Sequence, residues 1–218
     1  MKVAFLGASY ENLGIEYLSA YIKQKGHKTR LFLDPKLFND TYIVSKKLSR
    51  LFSLEDEKIA ELIDYNPEMI CISVISPDYQ WAKRVAMKIR KKTSAPIVFG
   101  GIHPSSVPKE VLKNKAVDFV VIGEGEQTLL ELIECIKYKR EFYSIKGLGF
   151  KDHGNIIINP LREPIKDLDT LPFPDKELYY SLLPSYKKGY TIMTARGCPN
   201  RCTYCYNSLY KNYMVILF

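Results

Sequence analysis

The sequence predicts an α/β fold: a doubly wound parallel sheet of five strands with helices on both faces. Three observations carry that prediction. The strand-like runs "KVAFLG", "MICISVI" and "DFVVIG" are continuously apolar rather than alternating, which suits strands covered on both sides. Stretches with helical apolar spacing separate them. Glycines and small polar residues gather where the runs end: Gly7, Ser9, Ser73, Ser76, Gly100, Gly101, Gly123 and Gly125. In open α/β sheets, ligands bind beyond those carboxyl ends.

Each element has its own signal. "KVAFLG" is a first buried strand. "LGIEYLSAYIKQKG" puts Leu13, Tyr17, Leu18, Tyr21 and Ile22 on one helical face and stops at Gly26, with His27 expected at the surface. "KTRLFLD" is a second strand, and residues 41–52 hold a short helix. "SLEDEKIAELIDYNP" is a clearer helix, with Ser53 and Asp56 at capping-box spacing and Pro67 beyond its end. "EMICISVI", "PIVFGG" and "DFVVIGEGE" are strands three to five. The helices "YQWAKRVAMKIRKK", a short "PKEVLK" and "EQTLLELIECIKY" follow them in turn. The strand order expected is 2-1-3-4-5, the flavodoxin-like (Rossmann-like) arrangement.

After about residue 140 the pattern changes. "IKGLGFKDHGNIIINP" reads as a β-hairpin turning at residues 152–155, with His153 in the turn. "LREPIKDLDTLPFPDKEL" carries Pro164, Pro172 and Pro174 and reads as an extended linker. "GYTIMTARG" is then one more apolar strand. The division expected is residues 1–140 as the α/β domain, 141–189 as hairpin and linker, and 190–218 as the start of another unit.

The chain has 218 residues and a net charge of +8, from 32 basic and 24 acidic residues. The basic residues are scattered. Their densest clusters, residues 88–92 and 137–140, fall at helix ends, where cations suit the helix dipole. Nucleic acid is therefore not the expected partner. No apolar run approaches the roughly 20 residues of a membrane helix. The apolar run at the N-terminus is too short for a signal peptide, so a cytoplasmic location is the expectation.

Five cysteines are present. Disulfides are not expected in a reducing compartment. Cys71 and Cys135 lie in an apolar strand and on an apolar helix face, and read as core residues. Cys198, Cys202 and Cys205 are clustered at C-x3-C-x2-C spacing in "ARGCPNRCTYCYN". Thiolates are soft ligands for zinc or for iron–sulfur clusters. Structural zinc usually takes four protein ligands, often as two C-x2-C pairs, and no such set is completed here. Three thiolates suit a [4Fe–4S] cluster with one iron left open.

"CPNRCTYC" resembles the C-x3-C-x-aromatic-C signature of radical S-adenosylmethionine (SAM) enzymes, with Tyr204 in the aromatic slot. The resemblance implies a [4Fe–4S] cluster on Cys198, Cys202 and Cys205. In that family the open iron chelates SAM, and one electron cleaves SAM to a 5′-deoxyadenosyl radical. It also implies a one-electron donor such as flavodoxin or ferredoxin, and places "YTIMTARG" as the first strand of a partial (β/α) barrel.

The segments "ENLGIEYLSAYIKQKGHKTRLFLD", "ISVISPDY", "VFGGIHPSSVPKEVL" and "VVIGEGEQTLLELI" resemble, in order, the cobalamin-binding domain that precedes many radical SAM barrels. "LREPIKDLDTLPFPD" resembles the segment joining the two modules. The likeness covers residues 1 to about 208. It implies that the loop with Ser9, Tyr10, Glu11, Leu13 and Gly14 faces the corrin ring. Ser73, Val74 and Ser76 would meet the nucleotide tail, and Gly100 and Gly101 would leave room for it. Gly123, Glu124, Gly125 and Glu126 would line the far wall. His103 would touch the cofactor edge or cap its turn, a metal or catalytic role being the sharper alternative. Glu124 and Glu126 could also be read as an acid/base pair.

One departure matters. Methionine-synthase-like cobalamin domains carry D-x-H-x-x-G in the first loop, and its histidine binds cobalt. Here "SYENLG" has Ser9 in the Asp place and Glu11 in the His place, and keeps only Gly14. Cobalamin is therefore expected without a histidine ligand from this loop.

The resemblance implies a B12-dependent enzyme of methyl transfer to an unreactive carbon or phosphorus centre, or of radical rearrangement or cyclisation, with the substrate set by segments not in this sequence. Barrel units are expected after the cysteine loop, yet the sequence ends at Phe218. The expectation is a truncated product, inactive by itself, with completion by a partner chain as the alternative. Two further readings stay open: a stand-alone cobalamin-binding module, and a radical SAM enzyme that modifies RNA.

Overall fold

The structure, a computed structural model, describes residues 1–8, 10–38, 44–198, 200 and 202–206. β1 (Lys2–Ala8) leads to α1 (Leu13–Gln24), capped by the Asn12 side chain, which accepts the Ile15 N–H at 3.2 Å. β2 (Lys28–Asp34), α2 (Lys46–Leu51) and α3 (Glu55–Asp64) follow, then β3 (Met69–Ser73) and α4 (Tyr79–Arg90). β4 (Ile97–Gly100) runs into two short helices, α5 (Ile102–Ser106) and α6 (Pro108–Leu112). β5 (Phe119–Val121) and α7 (Glu126–Tyr138) complete the alternation.

The strand order is 2-1-3-4-5, all parallel, in the flavodoxin-like arrangement. Register sets Phe5 opposite Leu31 and Cys71, and Cys71 opposite Val98. Side-chain alternation splits the core in two. Ala4, Leu6, Ile70, Ile72 and Phe99 pack under α3, α4 and α6 with Leu62, Trp81 and Leu112. Val3, Phe5, Met69, Cys71 and Val98 pack under α1 and α7 with Ile22, Leu132 and Ile133. Continuous apolar strands are what a sheet covered on both faces requires.

The sheet is larger than the five strands expected. β6 (Leu148–Asp152) and β7 (Asn155–Ile158) form the hairpin, and β6 pairs antiparallel with β5 through Val120 and Gly149, giving seven strands. Left unpaired, β5 would expose its ladder groups, and the hairpin covers them. His153 and Gly154 both have positive φ, 44° and 84°, the conformation of a tight two-residue hairpin turn.

Other local expectations shift. The expected capping box does not form: α3 starts at Glu55 with Leu54 at the cap position, and Ser53 Oγ accepts only the Glu55 N–H, at 3.3 Å. Asp56 turns instead to Lys88, 2.7 Å away on α4. His27, expected at the surface, is buried, and its Nδ1 lies 3.2 Å from the N-terminal amine. That burial pushes its pKa down. Cys71 is a core residue as expected, and burial pushes its thiol far up, out of reactive range. Cys135 is only half-buried and donates to the Glu141 carbonyl at 3.2 Å. The strand expected over 190–197 does not form, because no strand among the described residues lies beside it to complete a ladder.

The linker is docked rather than loose. α8 (Glu177–Tyr180) sinks Tyr179 fully into the α1/α7 core. Just before it, the Asp175 N–H donates to the Glu16 carbonyl at 3.2 Å. The Asp175 carboxylate accepts from Ser19 Oγ at 2.5 Å and pairs with Lys23 at 2.6 Å. Lys176 Nζ lies 3.1 Å from Glu11 and 2.7 Å from the fully buried Glu16. The second contact leaves the Glu16 oxygens without a well-directed hydrogen bond, so charge holds the pair.

Burial pushes the Glu16 carboxyl up to about 7; Lys176 opposes that rise and the neighbouring Glu11 charge adds to it. A carboxyl raised in the folded state favours folding most below its ordinary value of 4.5, and that advantage is lost as pH rises through about 7. The thermal midpoint is therefore expected to fall between pH 5 and pH 8, with Glu16→Gln flattening the decline. An equal slope in both proteins would contradict this assignment.

Candidate cofactor site at the carboxyl end of the sheet

A cavity of about 570 Å³ opens where β1, β3, β4 and β5 end. Its floor is apolar, with Phe5, Cys71, Val98 and Val121. Its walls are short: Leu13 and Gly14 at the start of α1, Ser73 at the end of β3, Gly100 and Gly101 after β4, and residues 123–126 after β5. Met193, Ala195, Arg196 and Gly197 border it from the downstream segment.

The glycines make this cradle. Gly101 has φ 95°, and a Cβ there would stand 3.0 Å from the Val74 carbonyl and 3.1 Å from Ser73 Oγ. A Cβ at Gly125 would stand 3.1 Å from Leu18. Two polar residues absent from the sequence reading tie the walls together. Asn12 Nδ2 donates to Ser73 Oγ at 3.2 Å, joining the first loop to β3. Ser105 Oγ accepts the Gly123 N–H at 3.0 Å.

Of the residues expected at the cofactor, Leu13, Gly14, Ser73, Gly100, Gly101, Gly123, Glu124, Gly125 and Glu126 line this cavity. Ser9 lies outside the described residues. Tyr10, Glu11, Val74, Ser76, His103 and Tyr204 are not among its lining residues. Tyr10 donates to Asp78 at 2.8 Å, and burial and that carboxylate push its pKa up. Asp78 also pairs with Lys36. Glu11 is taken up by Lys176. Val74 is fully buried, accepting the His103 N–H at 3.1 Å. Ser76 Oγ hydrogen bonds His103 Nδ1 at 3.0 Å, and the His103 ring lies on Tyr79 with centroids 4.2 Å apart. Burial pushes the His103 pKa down, favouring the neutral ring.

The two carboxylates of the 123–126 loop have a partner that composition did not reveal. Arg196 Nη1 lies 3.1 Å from Glu124 and Nη2 lies 2.5 Å from Glu126. The Arg196 side chain is 13% exposed and Glu126 only 5%, so this pairing is largely out of water. Burial pulls the Arg196 pKa down, but Glu126 and Glu124 outweigh it and the net shift is upward. The guanidinium also stands 5.7 Å from the Tyr17 ring centroid. Glu124 accepts the Ile165 N–H at 2.6 Å, tying in the linker as well. Both carboxylates are thus engaged as anchors. The signal available in sequence was opposite charge: "GEGE" in one segment and "ARGC" in another.

Arg196 stands two residues before Cys198. Cys198 is exposed, Cys202 and Cys205 are half-buried, and the Cys205 N–H donates to the Cys202 carbonyl at 3.0 Å. Tyr204 is 91% exposed. Among the described residues no three His, Cys, Asp or Glu side chains converge tightly enough to hold a metal ion. The donor set, three thiols within one short loop, fits a cluster chemically.

Residues 3–133 match the family model of the B12 binding domain. The chain belongs to that family. This B12-binding domain chain is 30% identical over 213 residues to the "Uncharacterized methyltransferase PH0819" of Pyrococcus horikoshii, covering 94% of this chain and 42% of that protein. It is 28% identical over 227 residues to the anaerobic magnesium-protoporphyrin IX monomethyl ester cyclase of Rubrivivax gelatinosus, covering 94% and 38%. Its fold matches the cobalamin-dependent S-adenosylmethionine radical enzyme OxsB, solved with aqua-cobalamin and S-adenosylmethionine bound. The TM-score is 0.73 at 21% identity, covering 94% of this chain and 28% of OxsB. The chain therefore spans less than half the length of these relatives. They are methyltransferases, cyclases and radical SAM enzymes. No helix among the described residues is long and apolar enough to cross a membrane.

The residues present fit the family's cofactor: a glycine-walled slot, an apolar floor and a serine at its edge. Gly101→Ala is expected to destabilise the B12-binding domain by about 1–3 kcal/mol, because both backbone strain and the Val74 contact oppose a Cβ. Gly123→Ala meets nothing within 4 Å and is expected to cost about 1 kcal/mol from its φ of 78° alone. Urea unfolding of the two variants checks the order, and equal losses would contradict the tight fit at Gly101.

Proposed function

We propose that this chain binds cobalamin in the cavity at the carboxyl end of the sheet and a [4Fe–4S] cluster on Cys198, Cys202 and Cys205, as the cofactor-holding part of a B12-dependent radical SAM enzyme. The observation that carries the reading is the cavity itself, whose glycine walls lie within the family match and whose open side is bordered by the segment that leads to the thiols. With SAM, these groups supply methyl transfer or radical rearrangement and cyclisation on a small-molecule substrate. A one-electron donor of flavodoxin or ferredoxin type is part of the reading.

The chain's own residues bind and orient. Gly100 and Gly101, without side chains, would leave room for the cofactor's nucleotide tail. Ser73 Oγ, held by Asn12, offers a hydrogen-bonding group at the slot edge. Phe5, Val98 and Val121 exclude water from the floor. Glu11 is committed to Lys176, which supports cobalamin held without an axial ligand from the first loop. Cys198, Cys202 and Cys205 would be the thiolate ligands of the cluster once iron and sulfide bind.

A second reading, a cobalamin-binding module without a cluster, has one observation in its favour: the three thiols are not converged. Anaerobic reconstitution with iron, sulfide and hydroxocobalamin separates the two. The expected result is about one cobalt and about four irons per chain. After one-electron reduction, the cobalamin electron paramagnetic resonance signal should lack coupling to a histidine nitrogen. Cobalt without iron would favour the module. No cobalt, or a signal with histidine nitrogen coupling, would overturn the cobalamin reading as stated.

A further inference from the structure

The Arg196 clasp ties the wall of the cavity to the start of the cysteine loop, whose neighbours Met193, Ala195 and Gly197 border the same cavity. Glu124 and Glu126 border the cavity, and their carboxylates converge on one guanidinium. Arg196 is followed by Gly197, at φ 95°, and then by Cys198. The segment before it forms no ladder, so side chains hold it: Arg196 itself, and Tyr17, whose hydroxyl donates to the Met193 carbonyl at 3.5 Å. A planar guanidinium meeting two carboxylates fixes direction as well as distance, which a flexible ammonium does not.

We propose that Arg196 is the positioning residue of the site: it holds the cysteine loop at a fixed place over the cavity and transmits the state of the 123–126 loop to Cys198. The proposal rests on the reading of the cavity and the thiols as cofactor sites. Arg196 touches no reacting atom in this account. It sets the separation between whatever fills the cavity and whatever the thiols hold. A ligand in the cavity presses on the 123–126 loop, and through Glu124, Glu126 and Arg196 it also steadies the residues before Cys198.

The test compares wild type with Arg196→Gln and Arg196→Lys. In ligand-free protein, amide hydrogen exchange over residues 191–198 is expected to be about tenfold faster in Arg196→Gln, with part of the protection restored in Arg196→Lys. Exchange in β1 and β3 should stay unchanged, which shows that the sheet is intact. Hydroxocobalamin should then slow alkylation of Cys198 in wild type but not in Arg196→Gln. Equal exchange over 191–198 in wild type and Arg196→Gln would overturn the proposal. So would equal slowing of alkylation by cobalamin in both, because the ligand would then shield the thiol directly. Wild-type protein that takes up no cobalamin, yet shows the Arg196-dependent exchange, would defeat the cofactor reading and leave the clasp standing.

Discussion

Two cations, each sunk between two carboxylates, tie the segment after the β6–β7 hairpin to the α/β domain. Lys176 sits between Glu11 and Glu16 at the start of α1, and Arg196 sits between Glu124 and Glu126 at the start of α7. α1 and α7 flank the same face of the sheet, so the pairs act as two fasteners at one end of it. Removing one partner from a largely buried pair is costly, about 3–5 kcal/mol, because an unmatched charge is left behind. The arrangement is strong against loss and specific about place. Burial is what makes Glu16 hard to ionise, with the neighbouring Glu11 charge adding to it and Lys176 opposing it.

That placement matters because a parallel α/β sheet leaves the carboxyl ends of its strands open. Here β3 and β4 stop on Ser73 and Gly100, and Gly101, Gly123 and Gly125 stand in the loops that follow β4 and β5. The result is an apolar-floored cavity instead of a packed end. The fasteners bring Met193, Ala195 and Arg196 to its border without filling it. A large, flat cofactor with a narrow tail suits that shape. The hairpin serves a different need at the far edge, where it covers β5 and turns a five-stranded parallel sheet into seven strands.

Much of this was legible in the residues. Unbroken apolar runs marked the parallel strands, because burial on both faces leaves no room for alternation, while their order followed from the flavodoxin-like arrangement. Glycines at strand ends marked the cavity, and nine of the expected contacts line it. Less visible was anything decided by long-range charge. Glu11, Glu124 and Glu126 read as cofactor contacts, but Lys176 and Arg196, 165 residues from Glu11 and 70 from Glu126, engage their carboxylates. His27 read as exposed because it follows a helix-ending glycine, yet the N-terminus folds over it. The apolar "YTIMTARG" read as a strand, but a strand needs a neighbour and none of the described residues supplies one. Local pattern predicts elements well; it does not say which charges will meet across the fold.

The central claim is that the cavity bounded by these four loops is where cobalamin binds. Hydrogen exchange measured with and without saturating hydroxocobalamin tests it most directly. The account predicts slower exchange in residues 10–14, 73–76, 100–103 and 123–126, with the amino ends of β1 and β3 unchanged. Protection appearing elsewhere, such as between α3 and α4, or no protection at all, would contradict it.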